Sequence, residues 1–177
     1  ANGAKCVVVA VYGNRAYEDA LVEMQDVATE MGFQVIAAVA AIAEHSVCRV
    51  YGTGRPDEKD AKELASFGIE IINKVKNEQP FKPLILPGNH PYKQGTSGPY
   101  PIANDNCTEC GTCADACPTG AIYLTNLQNN NQELCIGCMR CVSVCPIQAR
   151  GIGERLNLLT TFLKPLCSER KINELFV

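Results

Sequence analysis

A basic excess is missing from this chain. Its 177 residues carry 16 Lys and Arg against 19 Asp and Glu, for a formal net charge of −3, which leaves no electrostatic footprint for nucleic acid and no polybasic run for an acidic membrane surface. Long hydrophobic runs are missing too: nothing approaches the roughly 20 apolar residues that span a bilayer. The first apolar run, Cys6 to Val11, is too short for a signal peptide and lacks the charged and cleavage regions that would flank one, so no membrane partner and a cytoplasmic address are expected. Histidine is scarce. His45 and His90 have no Ser, Asp or Cys partner at a recognisable catalytic spacing, so no catalytic residue is assigned. Asp19, Glu23, Asp26 and Glu30 read as the solvated face of a helix, not as a carboxylate site.

Cysteine and proline, by contrast, are concentrated. Six of the ten prolines (Pro80, Pro83, Pro87, Pro91, Pro99 and Pro101) fall within 22 residues that also carry Gly88, Gly95 and Gly98, a composition that ends helices and central strands. This divides the chain into residues 1–78, a Pro/Gly-rich join over 79–104, a cysteine-rich segment over 105–151 and a C-terminal helical extension over 152–177. In the first part, Cys6 to Val11 reads as a parallel strand buried on both faces. Ala20, Leu21, Met24, Ala28 and Met31 then recur at helical spacing up to Gly32, a left-handed cap. Val35 to Ile42 follows as a second strand parallel to the first. Asp57 caps a second helix with a buried stripe of Ala61, Leu64, Ala65, Gly68, Ile71, Ile72 and Val75. Two strands and two helices fall short of a finished α/β domain. In the extension, Leu156, Leu159, Phe162 and Leu163 predict a helix that Pro165 stops.

Eleven cysteines are an odd count, and most lie in two short runs, which points to metal and not to a disulfide framework. Cys107-x2-Cys110-x2-Cys113-x3-Cys117-Pro118 is repeated in full as Cys135-x2-Cys138-x2-Cys141-x3-Cys145-Pro146. Zinc is the competing reading, but a four-cysteine zinc site takes two cysteines from each knuckle and has no use for a third at the same spacing followed by Cys-Pro. Gly111 and Gly137 are either turn residues or points of close backbone approach to a group held by the cysteines. Ala121, Ile122, Ile136, Val142, Val144 and Ile147 read either as an apolar shell around the group the cysteines hold or as core packing, and Tyr123 as a neighbour of that group or a packing aromatic. Cys6 reads as a small core residue, and Cys48 and Cys167 as thiols outside the motif.

On these runs, residues 105–150 resemble a bacterial-type 2[4Fe-4S] ferredoxin domain. The resemblance implies two [4Fe-4S] clusters with crossed ligation: Cys107, Cys110, Cys113 and Cys145 on one, Cys135, Cys138, Cys141 and Cys117 on the other. It also implies a one-electron carrier whose anionic clusters favour redox partner proteins or flavoproteins with a positive docking face.

Residues 5–76 resemble the C-terminal half of a flavodoxin-like domain, in the family that fuses a flavodoxin module to a 2[4Fe-4S] ferredoxin. The matching words are Ala10-Val11-Tyr12-Gly13-Asn14-Arg15, Glu44-His45-Ser46, Gly54-Arg55-Pro56-Asp57 and Pro87-Gly88-Asn89. The resemblance makes Tyr12, Gly13, Asn14 and Arg15 a loop against the flavin ring. It departs where the first three strands and their phosphate loop are absent, so FMN is expected only if a missing half-domain is supplied.

The fold class expected is therefore α/β plus α+β: a partial flavodoxin-like βαβα half-domain followed by a ferredoxin-like domain. An abrupt start at Ala1 favours a fragment, whose unpaired strand edge would form a homodimer or bind another chain. Two other functions compete with the carrier: the electron-input fragment of an FMN-dependent oxidoreductase, and a redox-sensing module that signals by cluster loss.

Overall fold

The structure is a computed structural model that describes residues 1–77, 81–94 and 98–177. Pro80 and Gly95 of the join lie outside the described residues. In chain order the elements are β1 (Lys5–Tyr12), α1 (Ala20–Glu30), β2 (Gln34–Ile42), α2 (Glu58–Asn77), β3 (Ile102–Ala103), α3 (Thr112–Asp115), α4 (Arg140–Ser143), β4 (Arg150–Gly151), α5 (Arg155–Cys167) and β5 (Glu174–Phe176). They divide into two compact units: residues 1–45, 49–94 and 163–177, and residues 46–48 and 95–162. Among the described residues no helix is long and apolar enough to cross a membrane.

The first unit is built on a three-stranded sheet ordered β1-β2-β5. β1 and β2 are parallel, as a helical crossover requires, with a register shift between Cys6 and Val7. Gly32 closes α1 at φ +81°, and Phe33 N–H returns 2.9 Å to the Ala28 carbonyl, the bond that satisfies an orphan carbonyl at a helix end. At the start of α2, Asp57 accepts from the N–H groups of Lys59 and Asp60, each at 3.0 Å. The core beneath α1 gathers Val8, Ala10, Leu21, Val35, Ala38, Ala40 and Leu86.

Three expectations are corrected here. The run Cys6 to Val11 is covered on one face only: Val8 and Ala10 are buried while Val7, Val9 and Val11 are exposed, because α2 packs on β2 and leaves this face of β1 open. In α2 itself Leu64, Gly68, Ile71 and Val75 are half-buried, but Ala61, Ala65 and Ile72 face solvent. Pro165 lies inside α5 and does not end it. It sits within the last turn, where one lost N–H bond disturbs little of the helix.

Beyond α5 the chain returns as a strand. Glu174, Leu175 and Phe176 pair antiparallel with Ala40, Val39 and Ala38, and Phe176 packs against the core. The return is fixed by polar groups. Asn173 accepts the Ile42 N–H at 2.8 Å and donates to Asp60 at 3.1 Å and Glu63 at 2.6 Å. Arg55 pairs with Asp60, both side chains almost wholly buried, and donates to the Lys171 carbonyl at 2.9 Å.

A Cβ added to Gly13 would lie 2.7 Å from the His45 Cα, a backbone atom that cannot move aside. Gly13→Ala is therefore expected to cost about 1–3 kcal/mol through overpacking, read from the chemical-denaturation midpoint.

The second unit holds a two-stranded antiparallel pair, with Ile102 opposite Gly151 and Ala103 opposite Arg150. Its small core contains Cys113, Ile122, Leu127 and Cys141.

Candidate metal centre

The two cysteine runs fold alike. A shift of 28 positions superposes not only the ligand pattern but the backbone that carries it. Glu109 and Gly137 both have positive φ (56° and 65°), as do Gly111 and Met139 (80° and 59°) and Gly120 and Gln148 (64° and 54°). The short helices α3 and α4 open on the equivalent bonds Ala114 N–H to Gly111 and Val142 N–H to Met139, at 2.9 and 3.0 Å. After the fourth cysteine of each run, a backbone N–H turns back to the sulfur: Ala121 to Cys117 Sγ at 3.3 Å, and Ala149 to Cys145 Sγ at 3.2 Å.

This changes the reading of the loop glycines. A Cβ on Gly137 would meet nothing within 4 Å, and one on Gly111 would meet only Leu124 Cδ2 at 3.4 Å. The requirement is the left-handed backbone, which Met139 adopts without being glycine. That conformation costs an L-residue roughly 1–2 kcal/mol. Exposed Gln148 bears it too, so Gln148→Gly is expected to stabilise the cluster-loaded unit by about 1 kcal/mol, and Gly120→Ala to destabilise it by a similar amount, both measured by chemical denaturation.

Cys107, Cys110, Cys113 and Cys145 line one cavity, together with Leu127, Pro146, Ile147 and Arg150. Cys117, Cys135, Cys138 and Cys141 line a second, with Pro101, Ile122, Ile136 and Met139. All eleven cysteines are unbridged. Among the described residues no three Cys, His, Asp or Glu side chains close on a single metal ion, whereas a zinc site needs four sulfurs about 2.3 Å from one point. Thiols spread around a cavity suit a larger group. In each set one cysteine is buried (Cys113, Cys141) and one exposed (Cys110, Cys138).

The surroundings favour thiolate at Cys110 and Cys117 and oppose it at Cys141. Thr112 holds the Cys110 thiol below its ordinary value, its hydroxyl 3.3 Å from the sulfur. Burial opposes ionisation of Cys117, but N–H and hydroxyl donors from Thr119, with the Ala121 and Ile122 N–H groups, bring it below the ordinary value. Asn130 Nδ2 donates to Cys135 Sγ at 3.4 Å. Burial pushes Cys141 up, against the opposing charge and hydrogen bond of Arg150. The Nε of Arg150 is buried and has no partner among the described residues, a donor suited to an anionic sulfur group at the cavity wall.

Other expected neighbours divide. Ala121 and Ile122 are buried, whereas Ile136 and Ile147 are 67% and 45% exposed and sit at the mouths of the cavities instead of sealing them. Val142 packs on the core, and Val144 is half-buried. Tyr123 is half-exposed, its hydroxyl 3.2 Å from Asn131 Nδ2. Four groups were not anticipated from sequence: Thr112, Thr119, Asn130 and Arg150. Arg150 leaves a signal once the repeats are aligned, for it occupies the position of Ile122.

In the first unit, the loop after β1 has other contacts. Asn14 is 2% exposed and donates to the Cys167 and Glu169 carbonyls at 2.7 and 2.8 Å. Tyr12 packs edge-on against Tyr17. Arg15 pairs with Glu18 at 2.6 Å. Burial and the nearby Arg15 lower the His45 value, and His90 lies 2.6 Å from Asp26.

Residues 100–150 match the 4Fe-4S dicluster domain family. The chain is 38% identical over 47 residues to the ferredoxin-like protein in vnf region of Azotobacter chroococcum, covering 72% of that protein and 23% of this one. The chain belongs to the ferredoxin-type 4Fe-4S dicluster family. This dicluster protein is also 33% identical over 69 residues to the protein NrfC homolog of Haemophilus influenzae, and 39% identical over 49 residues to the B component of the polysulfide reductase of Wolinella succinogenes. These matches cover 36% and 25% of the dicluster protein, and it spans only 31% and 26% of the lengths of those relatives. No solved structure matches it. Its residues 100–150 are an iron-sulfur domain of the type built on [4Fe-4S] clusters.

Proposed function

We propose that the dicluster protein carries electrons one at a time through two [4Fe-4S] clusters with crossed ligation, Cys107, Cys110, Cys113 and Cys145 holding one and Cys135, Cys138, Cys141 and Cys117 the other. The observation that carries this is the make-up of the two cavities: each is lined by three cysteines of one run and the fourth of the other. When bound, the clusters supply one-electron redox chemistry. The protein's own residues hold the thiolates, donate N–H and hydroxyl hydrogen bonds to them, and exclude water on the inner side through Ile122 and Leu127. Exposed Cys110 and Cys138 mark the outer faces, where electrons enter and leave. The relative named as a component of a polysulfide reductase supports a redox protein as partner, with a positive docking face. Anaerobic titration should show reversible uptake of about two electrons per chain; irreversible bleaching on the first cycle would favour a sensing module that responds by losing its clusters.

The first unit is read as the C-terminal half of a flavodoxin-like domain. Support comes from the parallel β1-α1-β2 unit and the loops at the carboxyl ends of its strands, where open α/β sheets bind ligands. FMN then binds only where a further half-domain completes the site, making this protein the electron-input part of an FMN-dependent oxidoreductase. The open edge of β1 and exposed Val7, Val9 and Val11 favour a second copy or another protein on that side. Solution scattering that shows a monomer at high concentration contradicts the homodimer.

A further inference from the structure

The pseudo-repeat is broken at one buried position. Ile122 and Arg150 occupy equivalent places after the fourth cysteine of each run, and both are buried, at 5% and 4% exposure. In the first run the residue is apolar. In the second it brings a full positive charge into the core shared by Cys113 and Cys141.

The arginine is held rigidly. Its backbone pairs with Ala103 in the β3–β4 ladder. Its Nη1 donates to the Leu127 carbonyl at 2.6 Å and reaches Cys113 Sγ at 3.6 Å, and its Nη2 donates to the Pro101 carbonyl at 3.2 Å. Cys141 lies in the same small core as Cys113, within reach of the Arg150 charge. Among the described residues these contacts are carbonyls and thiols, with no carboxylate among them, and Nε has no partner. Two carbonyl bonds explain a clamp on the chain, but they do not neutralise a buried cation. Such a charge is costly unless an anion faces it, and guanidinium cannot escape the cost by losing its proton. The anions its position supplies are the sulfur groups of the two cavities, since Cys113 belongs to one set and Cys141 to the other.

We propose that Arg150 is a shared potential-setting residue: one fixed cation between the inner ligands of both clusters, raising both reduction potentials and offsetting the repulsion between two reduced clusters. This rests on the crossed ligand reading above. Reduction adds a negative charge to a cluster, so a nearby cation stabilises the reduced form more than the oxidised one. Low local dielectric strengthens the effect. Because guanidinium stays charged, the contribution is independent of pH across the working range.

The test uses the full-length, cluster-loaded protein under anaerobic conditions, with iron and sulfide counted before potentials are measured. With both clusters assembled, Arg150→Gln should lower both midpoint potentials, each by at least the 59 mV that a tenfold change in a one-electron equilibrium represents. Arg150→Lys, which keeps the charge but not the fork, should remain closer to the native values in both. Unchanged potentials in a fully loaded Arg150→Gln protein, or a shift in one cluster alone, overturn the proposal, because a structural clamp does not discriminate between neutral and cationic replacements. If Arg150→Gln does not hold both clusters, Arg150→His decides: both potentials should fall as pH rises through the imidazole titration while the native ones do not, and pH-independent potentials overturn the proposal. Native protein lacking its full iron and sulfide would instead count against the ligand reading, independently of Arg150.

Discussion

The double substitution Cys107→Ala/Cys145→Ala is expected to leave about four iron and four sulfide per chain, while Cys107→Ala/Cys117→Ala leaves almost none. Both variants remove two thiols. They differ in whether those thiols face the same cavity. Cys107 and Cys145 line the first and leave all four cysteines of the second untouched. Cys107 and Cys117 take one ligand from each. If each run instead held its own cluster, the two outcomes would be exchanged, so the pair discriminates crossed from uncrossed ligation without a structure of the loaded protein. The comparison relies on the non-additivity of residues that act as one unit. The N–H groups of Ala121 and Ala149 that face Cys117 and Cys145 lie on the backbone, so they persist in every variant and do not confound the comparison.

Asp60→Ala is expected to destabilise the first unit by about 3–5 kcal/mol, a large part of a typical domain's total. Asp60 is the fully buried acceptor around which the C-terminal return is organised: Arg55 Nε donates to it at 2.9 Å, Asp57 N–H at 2.9 Å, Asn173 Nδ2 at 3.1 Å and Arg170 Nη2 at 3.1 Å. Removing the carboxylate leaves Arg55 buried without its counter-charge. Hydrogen exchange at the β2 amides reads the effect, since β2 is the central strand. The same network sets a pH dependence. The Arg55 hydrogen bond, aided by the Asp57 N–H and Asn173, holds Asp60 well below the usual carboxylate range despite desolvation. A depressed value contributes stability that is fully present above the unfolded value near pH 4 and is lost as pH falls through the folded one. The native unit should therefore weaken on acidification below about pH 4, and Asp60→Asn should flatten that acid limb.

The cysteine pattern was readable because cluster ligation demands particular residues at short, fixed spacings, and the two parallel strands and α1 were readable because their apolar periodicity is strong. The rest depended on tertiary context. A run such as Cys6 to Val11 contains the residues of a doubly buried strand, yet nothing local specifies what covers each face, and Val7, Val9 and Val11 are left exposed. β5 is three residues long and carries no period. Its placement follows from Asn173 and from Arg170, whose guanidinium pairs with Asp57 and Asp60 more than a hundred residues earlier. Met139 and Gln148 hide their left-handed backbone because the residue type argues against it, and only the equivalence with Gly111 and Gly120 exposes it. Arg150 was legible in the same way, as a charge standing where the other repeat has Ile122. Asn14 matched a flavin-loop word but is engaged with the carbonyls of Cys167 and Glu169, contacts that no local pattern encodes.

The most direct test of the central claim is an anaerobic determination of iron and acid-labile sulfide, together with EPR of the dithionite-reduced protein. About eight of each per chain, with signals broadened by interaction between two reduced clusters, is the result expected of a dicluster carrier; zinc without sulfide, and no signal on reduction, would contradict it.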